Sequence, residues 1–171
     1  MVSAAAADFA GDNDEAYGFR VILRHYCVHL AGPDPSSALS AFPADVRAAR
    51  SFNGDLGQHL QRWRAQLASG TLAADLLGVL AARKTLLAVA GLVSVHDHTW
   101  TTERSSGVRR WSALEPRLAA HLDQMNSWSN GEQHASREEV VRALADNGIV
   151  GEIVERFATL IGLWADEAAG K

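Results

Sequence analysis

The chain has 171 residues, 47% of them apolar and 21% charged, the balance of one ordinary globular domain with a core of its own. A net charge of −4 offers no electrostatic footprint for nucleic acid or for an anionic membrane, both of which require clustered Lys and Arg. The single cysteine, Cys27, excludes an internal disulfide framework and suits a reducing cytosol, so a cytoplasmic protein is expected.

The first 14 residues are small and acidic and read as a flexible N-terminal arm, followed by a single helical domain over 15–168. No basic stretch leads into an apolar one there, so no secretory signal is expected. Over 15–30, Phe19, Ile22, Leu23, Tyr26, Cys27 and Leu30 recur at helical spacing, which makes Cys27 a packed thiol. Gly32-Pro33-Asp34-Pro35 stops that helix. Pro43 is placed to open the next one, which should run to Ser69, kink or split at Gly54 and Gly57, and end on Gly70 as C-cap.

Thr71 then caps a long apolar helix over 72–95, which Asp75, Arg83 and Lys84 mark as buried rather than membrane-spanning. Residues 96–102 read as a loop, and Thr102 is placed to cap a short helix carrying Val108, Trp111 and Leu114. Pro116 opens a helix over 117–128, and 129–131 form a turn. Ser136 with Glu139 spells a capping box. A final helical pair breaks near Asn147-Gly148, and Ile153, Phe157, Leu160, Ile161 and Trp164 form its apolar stripe. No stretch alternates as a strand does. The pattern predicts an all-α fold, a single-domain bundle of about six to seven helices.

Arg83 and Lys84 sit in an otherwise apolar helix, where a charge must be paired, reach solvent or face a ligand. His96-Asp97-His98 offers acid–base groups for catalysis or a polar pocket wall; no third Cys or His at ligand spacing supports a metal, and no cofactor is expected. Among Trp100, Trp111 and Trp128, the loop residue Trp100 is the better ligand contact, and Trp111 at helical spacing with Leu114 is equally a core filler.

Two stretches carry a likeness. Residues 23–35, LRHYCVHLAGPDP, run into a Gly-Pro-x-Pro turn and then Pro43-Ala44-Asp45-Val46-Arg47-Ala48-Ala49. Residues 99–116, TWTTERSSGVRRWSALEP, follow the long apolar helix. Both resemble the helical C-terminal half of aminoglycoside (streptomycin/spectinomycin-type) adenylyltransferases over about residues 20–165. The resemblance implies a stand-alone substrate-binding half holding a polar small molecule in an interhelical cleft, which would be lined by Arg83, His96, Asp97, Trp100 and Arg104, with Lys84 and Trp111 as further ligand-binding candidates. It implies as partner a separate catalytic chain or a second copy. The catalytic half of those enzymes carries a Gly-Ser turn and a metal-holding Asp-x-Asp; the only nearby spelling here is Asp12-Asn13-Asp14, without that turn, so nucleotidyl transfer by this chain alone is not expected.

Two other readings stand beside it. One is a repurposed tailoring or cyclising enzyme using His96, Asp97 and His98, in keeping with the Ala- and Arg-rich composition of bacteria rich in secondary metabolism. The other follows from Arg24 and His29, whose Arg-x4-His spacing is similar to the short motif of HEPN ribonucleases, helical bundles that join Arg and His across a dimer. The acidic balance argues against RNA.

Overall fold

Between Ala74 and Asp97 the chain is apolar on nearly every face, and a helix of that kind has to be enclosed by its neighbours. This helix, α4 (Ala74–Asp97), is the axis of the bundle. The structure, a computed structural model, describes residues 9–164, and these form an all-α single-domain bundle without a strand among the described residues. Around α4 pack α2 (Val46–Asn53), α3 (Leu56–Ser69), α5 (Arg104–Leu114), α6 (Ala119–Asn130), α7 (Arg137–Leu144) and α8 (Ile149–Leu160). A 3-10 turn, Pro116–Leu118, leads into α6, and α1 (Asp14–His25) lies outside, on α2. By length and composition α4 is apolar enough to cross a membrane, but 61% of that apolar window is buried in the bundle, the mark of a core helix.

The core closes where Leu86, Val89 and Val93 of α4 meet Trp63, Trp111, Met125, Trp128 and Phe157. A smaller cluster, Tyr17, Val21 and Ala48 with Phe42, Phe52 and Trp100 against it, joins α1 to α2. Arg50 Nε donates to Asp14 Oδ2 at 2.5 Å across the same junction.

Local chemistry explains most element ends. Asn13 and Asp45 accept the N–H groups of Ala16 and Ala48 and so cap α1 and α2. Ser136 and Glu139 complete the expected capping box. Gly70 and Gly131 end α3 and α6 at φ 65° and 75°, in the left-handed region that glycine enters without a Cβ penalty. The expected helix over 43–69 is split at Gly54-Asp55, and the final pair breaks before Gly148.

Other boundaries differ from expectation. The first helix ends at His25 rather than near Leu30, and it buries Ala16, Tyr17, Gly18 and Val21. The apolar residues that suggested a longer stripe lie beyond its end, so Leu30 is 91% exposed and Cys27 is an exposed thiol rather than a packed one. Pro43 precedes α2 instead of opening it. The N-caps of α4 and α5 are Ala73 and Glu103, not Thr71 and Thr102. Residues 9–13 of the expected arm are fastened, because Arg20 donates to the carbonyls of Phe9 and Gly11 at 2.6 and 2.7 Å and Phe9 packs on Phe19. The rest of the arm, 1–8, and the end of the expected domain, 165–168, lie outside the described residues.

Candidate functional site

Where α2 crosses α4 the facing side chains are short. Ala48 and Ala49 on α2 meet Ala90 and Gly91 on α4, and so small a set cannot fill the space between two helix backbones. The result is a cavity of about 300 Å³. Ile22 and Tyr26 wall it from the end of α1, Phe52 and Asn53 from the end of α2, and Leu87 and Ser94 from α4. Trp100, Thr101 and Thr102 close it from the α4–α5 connection.

That connection is pinned by Ser94, whose Oγ donates to the Ala90 carbonyl at 2.8 Å and accepts the Thr101 N–H at 2.9 Å. Trp100 is thereby held 5.1 Å from the His25 ring, and His25 Nε2 accepts the Phe42 N–H at 3.0 Å. A ring nitrogen that accepts a backbone N–H carries no proton, so the hydrogen bond selects the tautomer protonated on Nδ1. Burial pushes the Tyr26 hydroxyl up, and the ring stays a neutral phenol. Asn53 is 4% exposed, yet among the described residues its amide makes only a stretched bond of 3.4 Å to the Leu87 carbonyl. It is a sheltered donor and acceptor pair with capacity left over.

Of the residues singled out in the sequence, Trp100 alone lines this cavity. His96 and Asp97 belong to the last turn of α4 rather than to a loop, and His98 is its left-handed C-cap at φ 54°. His96 Nδ1 lies 3.0 Å from Asp97 Oδ1, and Arg110 holds the other carboxylate oxygen at 2.7 Å. The structure thus joins His96 to Asp97 and leaves His98 exposed and apart. Arg83 and Lys84 point to opposite neighbours. Arg83 Nε donates to the Ser129 carbonyl at 3.2 Å near the end of α6, and Lys84 reaches the Phe52 carbonyl at 2.9 Å and Asp55 at 2.7 Å. Arg104 opens α5 and is half-buried, while Trp111 and Trp128 are buried in the core at 4% and 2%.

Asp12-Asn13-Asp14 serves the start of α1, with Asn13 as its cap and Asp14 paired to Arg50. Arg24 and His29 are both exposed but lie on different elements, His29 in the loop after α1 with Nε2 2.7 Å from the Gly32 carbonyl. Among the described residues no three His, Cys, Asp or Glu side chains are gathered as a metal site.

A second, more polar depression of about 640 Å³ lies between α6, α7 and α8. Its acids are engaged within the fold: Glu152 pairs with Arg117, and Glu139 holds Ser136 and Gln124. Sequence reasoning missed Tyr26, Phe52 and Asn53. The signal that would have found them is the pair of small-residue doublets, Ala48-Ala49 and Ala90-Gly91, the first of them one helical turn before Phe52 and Asn53. No family model, no curated protein and no solved structure matches the chain.

Proposed function

We propose that the protein binds a small, largely apolar molecule in the cavity between α1, α2 and α4. The observation that carries this reading is Asn53: a nearly buried amide, incompletely bonded, at the wall of an aromatic-sided cavity. Binding sites are typically concave and apolar with one or two placed polar groups, and about 300 Å³ is the lower end of their usual size. The ligand is therefore less polar than the sequence alone implied. Arg83, Lys84 and Trp111 act as structural ties and core, not as its grip.

The reading favours binding over chemistry. Ser94, the hydroxyl best placed in the wall, is committed to the Ala90 carbonyl and the Thr101 N–H, with no base beside it. The likeness to the adenylyltransferase helical half remains a proposal, and one feature supports it. Both stretches that carry it, 23–49 and 99–116, contribute walls to the same cavity through Tyr26, Asp45, Ala48 and Trp100. On that reading a separate chain would supply any group transfer.

The test is a thermal-shift screen of small aromatic and aliphatic compounds on the full chain and on Leu87→Trp. Leu87 is 42% exposed at the cavity mouth, so an indole there obstructs the site without entering the core. A ligand at 100 times its Kd adds about 2.7 kcal/mol to the native state, or roughly 5–10 °C in Tm for a domain of this size. Hits that vanish in Leu87→Trp support the proposal. Hits that persist there, or a screen without hits, refute it.

A further inference from the structure

The walls of the cavity also specify the charge of its occupant. Tyr26 stands at right angles to two other rings: its centroid is 6.1 Å from Trp100 with planes at 90°, and 6.5 Å from Phe52 with planes at 75°. Both spacings lie within the range of ordinary edge-to-face contacts, about 4.5–7 Å. They are equally the spacing of rings that flank a shared centre. Two perpendicular rings, each about 4.5 Å from one cation, have centroids about 6.4 Å apart.

The charge around the cavity agrees with that geometry. Asp45 is the only charged residue among those lining it. Its Oδ1 accepts the Ala48 N–H at 2.9 Å, and its Oδ2 takes no hydrogen bond from a described residue. The nearby cations Arg47 and Arg50 pair with Asp14; Arg50 also feels the charge of Asp45, but no Lys, Arg or His among the described residues forms an ion pair with Asp45. The cavity therefore combines neutral rings, one carboxylate that forms no salt bridge with a described residue, and few hydrogen-bond acceptors. A primary ammonium needs acceptors for three N–H groups, and among the described residues Asp45 Oδ2 and the Asn53 amide oxygen are the ones left open there. An alkylated ammonium has no N–H to satisfy and attracts ring faces electrostatically.

We infer that the occupant is a small organic cation of the trimethylammonium type, seated against Tyr26, Phe52 and Trp100, with Asp45 as counter-charge and Asn53 for a polar tail. This inference rests on the reading of the cavity as a ligand site. A molecule of the same shape without the charge provides the control.

The experiment is a calorimetric and NMR titration of the full chain with choline and with its neutral carbon isostere, dimethylbutanol. It is repeated on Asp45→Asn and Trp100→Leu. Asn is as good a helix cap as Asp, so Asp45→Asn keeps α2 capped while removing the charge. The expected result is that choline binds about tenfold tighter than the isostere, and that Asp45→Asn reduces this preference to about threefold or less. Trp100→Leu should weaken choline more than dimethylbutanol. Equal affinity for the two probes, or a preference untouched by Asp45→Asn, overturns the cation and leaves the cavity as a site for neutral ligands. Failure of both probes while the screen above yields ligands blocked by Leu87→Trp also overturns the cation alone. Failure of both probes together with an empty screen removes the cavity reading itself.

Discussion

Lys84 reaches from α4 to the α2–α3 junction, where its ammonium lies 2.7 Å from Asp55 Oδ1 and donates to the Phe52 carbonyl at 2.9 Å. The other oxygen of Asp55 is 3.1 Å from His59 Nε2. The lysine and aspartate side chains are 20% and 24% exposed, and Asp55 Oδ1 itself is closed to solvent. Replacing Lys84 by Met keeps the aliphatic stem and removes the charge, so the loss measures the tie and not the packing. A surface ion pair is worth about 0–1 kcal/mol, and breaking a fully buried one costs about 3–5 kcal/mol. This pair lies between those limits, so Lys84→Met is expected to lose about 2 kcal/mol near pH 7.5, or about 4–8 °C in Tm.

The same cluster sets the pH dependence of that loss. Burial holds the His59 imidazole below its ordinary range; Asp55 pulls it back up, and Lys84 and Arg62 push it further down. A histidine depressed in the fold contributes stability that is present above its unfolded pKa of about 6.5 and is lost as pH falls through the folded value. Without Lys84 one of the two opposing cations is gone, so His59 takes a proton more readily and becomes the new partner of Asp55. The deficit of Lys84→Met should therefore shrink between about pH 7.5 and pH 5.5. Urea unfolding followed by circular dichroism, at both pH values and in a His59→Gln background, checks this. An equal deficit at both pH values refutes the argument, as does a shrinkage that survives His59→Gln.

Four further outcomes follow from backbone and packing. Ser136→Ala removes the side-chain half of the capping box and should cost about 1 kcal/mol by chemical denaturation. Gly78→Ala would place a Cβ 2.6 Å from that of Ala135 and 3.2 Å from Val140 Cγ2, so overpacking of about 1–3 kcal/mol should outweigh the gain in helix propensity. Gly91→Ala is the contrast: its nearest neighbour would be Ala49 Cβ at an ordinary 3.5 Å, and a gain of up to about 1 kcal/mol is expected. If both glycine variants shift Tm in the same direction, steric fit is not what decides. His98→Gly should raise Tm, because φ 54° strains any residue with a Cβ, by about 0.5–1 kcal/mol. A loss of stability there would show that the imidazole makes a contact that outweighs the strain.

The parts of this fold that were legible in the sequence are those decided within one turn of chain. Ser136 and Glu139 meet at a spacing that allows little else, and Gly70 and Gly131 sit where the chain must turn left-handed. The break at Gly54-Asp55 and the burial of α4 follow from composition alone. The end of α1 was misread because apolar spacing continues to Leu30 although the chain leaves the helix after His25. Spacing records which residues share a face if a helix is present; it does not record where the helix stops.

The cavity was illegible for a different reason. Its walls come from Tyr26, Phe52, Leu87 and Trp100, brought together by the crossing of α2 over α4 and by the Ser94 hydroxyl that anchors the connection to α5. Trp100 stood out because an indole in a polar segment has no local packing to explain it. Tyr26 had such an explanation, at helical spacing with apolar neighbours, and the explanation hid it; Phe52 lay unremarked inside an expected helix. Arg83 and Lys84 show the converse. A charge in an apolar helix demands a partner, and here the partners are carbonyls at the ends of α6 and α2 and a carboxylate at the start of α3. The anomaly was real, but it marked where α4 is fastened to its neighbours. The residues that face the cavity are the ones whose individual identities looked ordinary, because a binding wall made of short side chains and ring faces departs from a packed core only in what is missing between them.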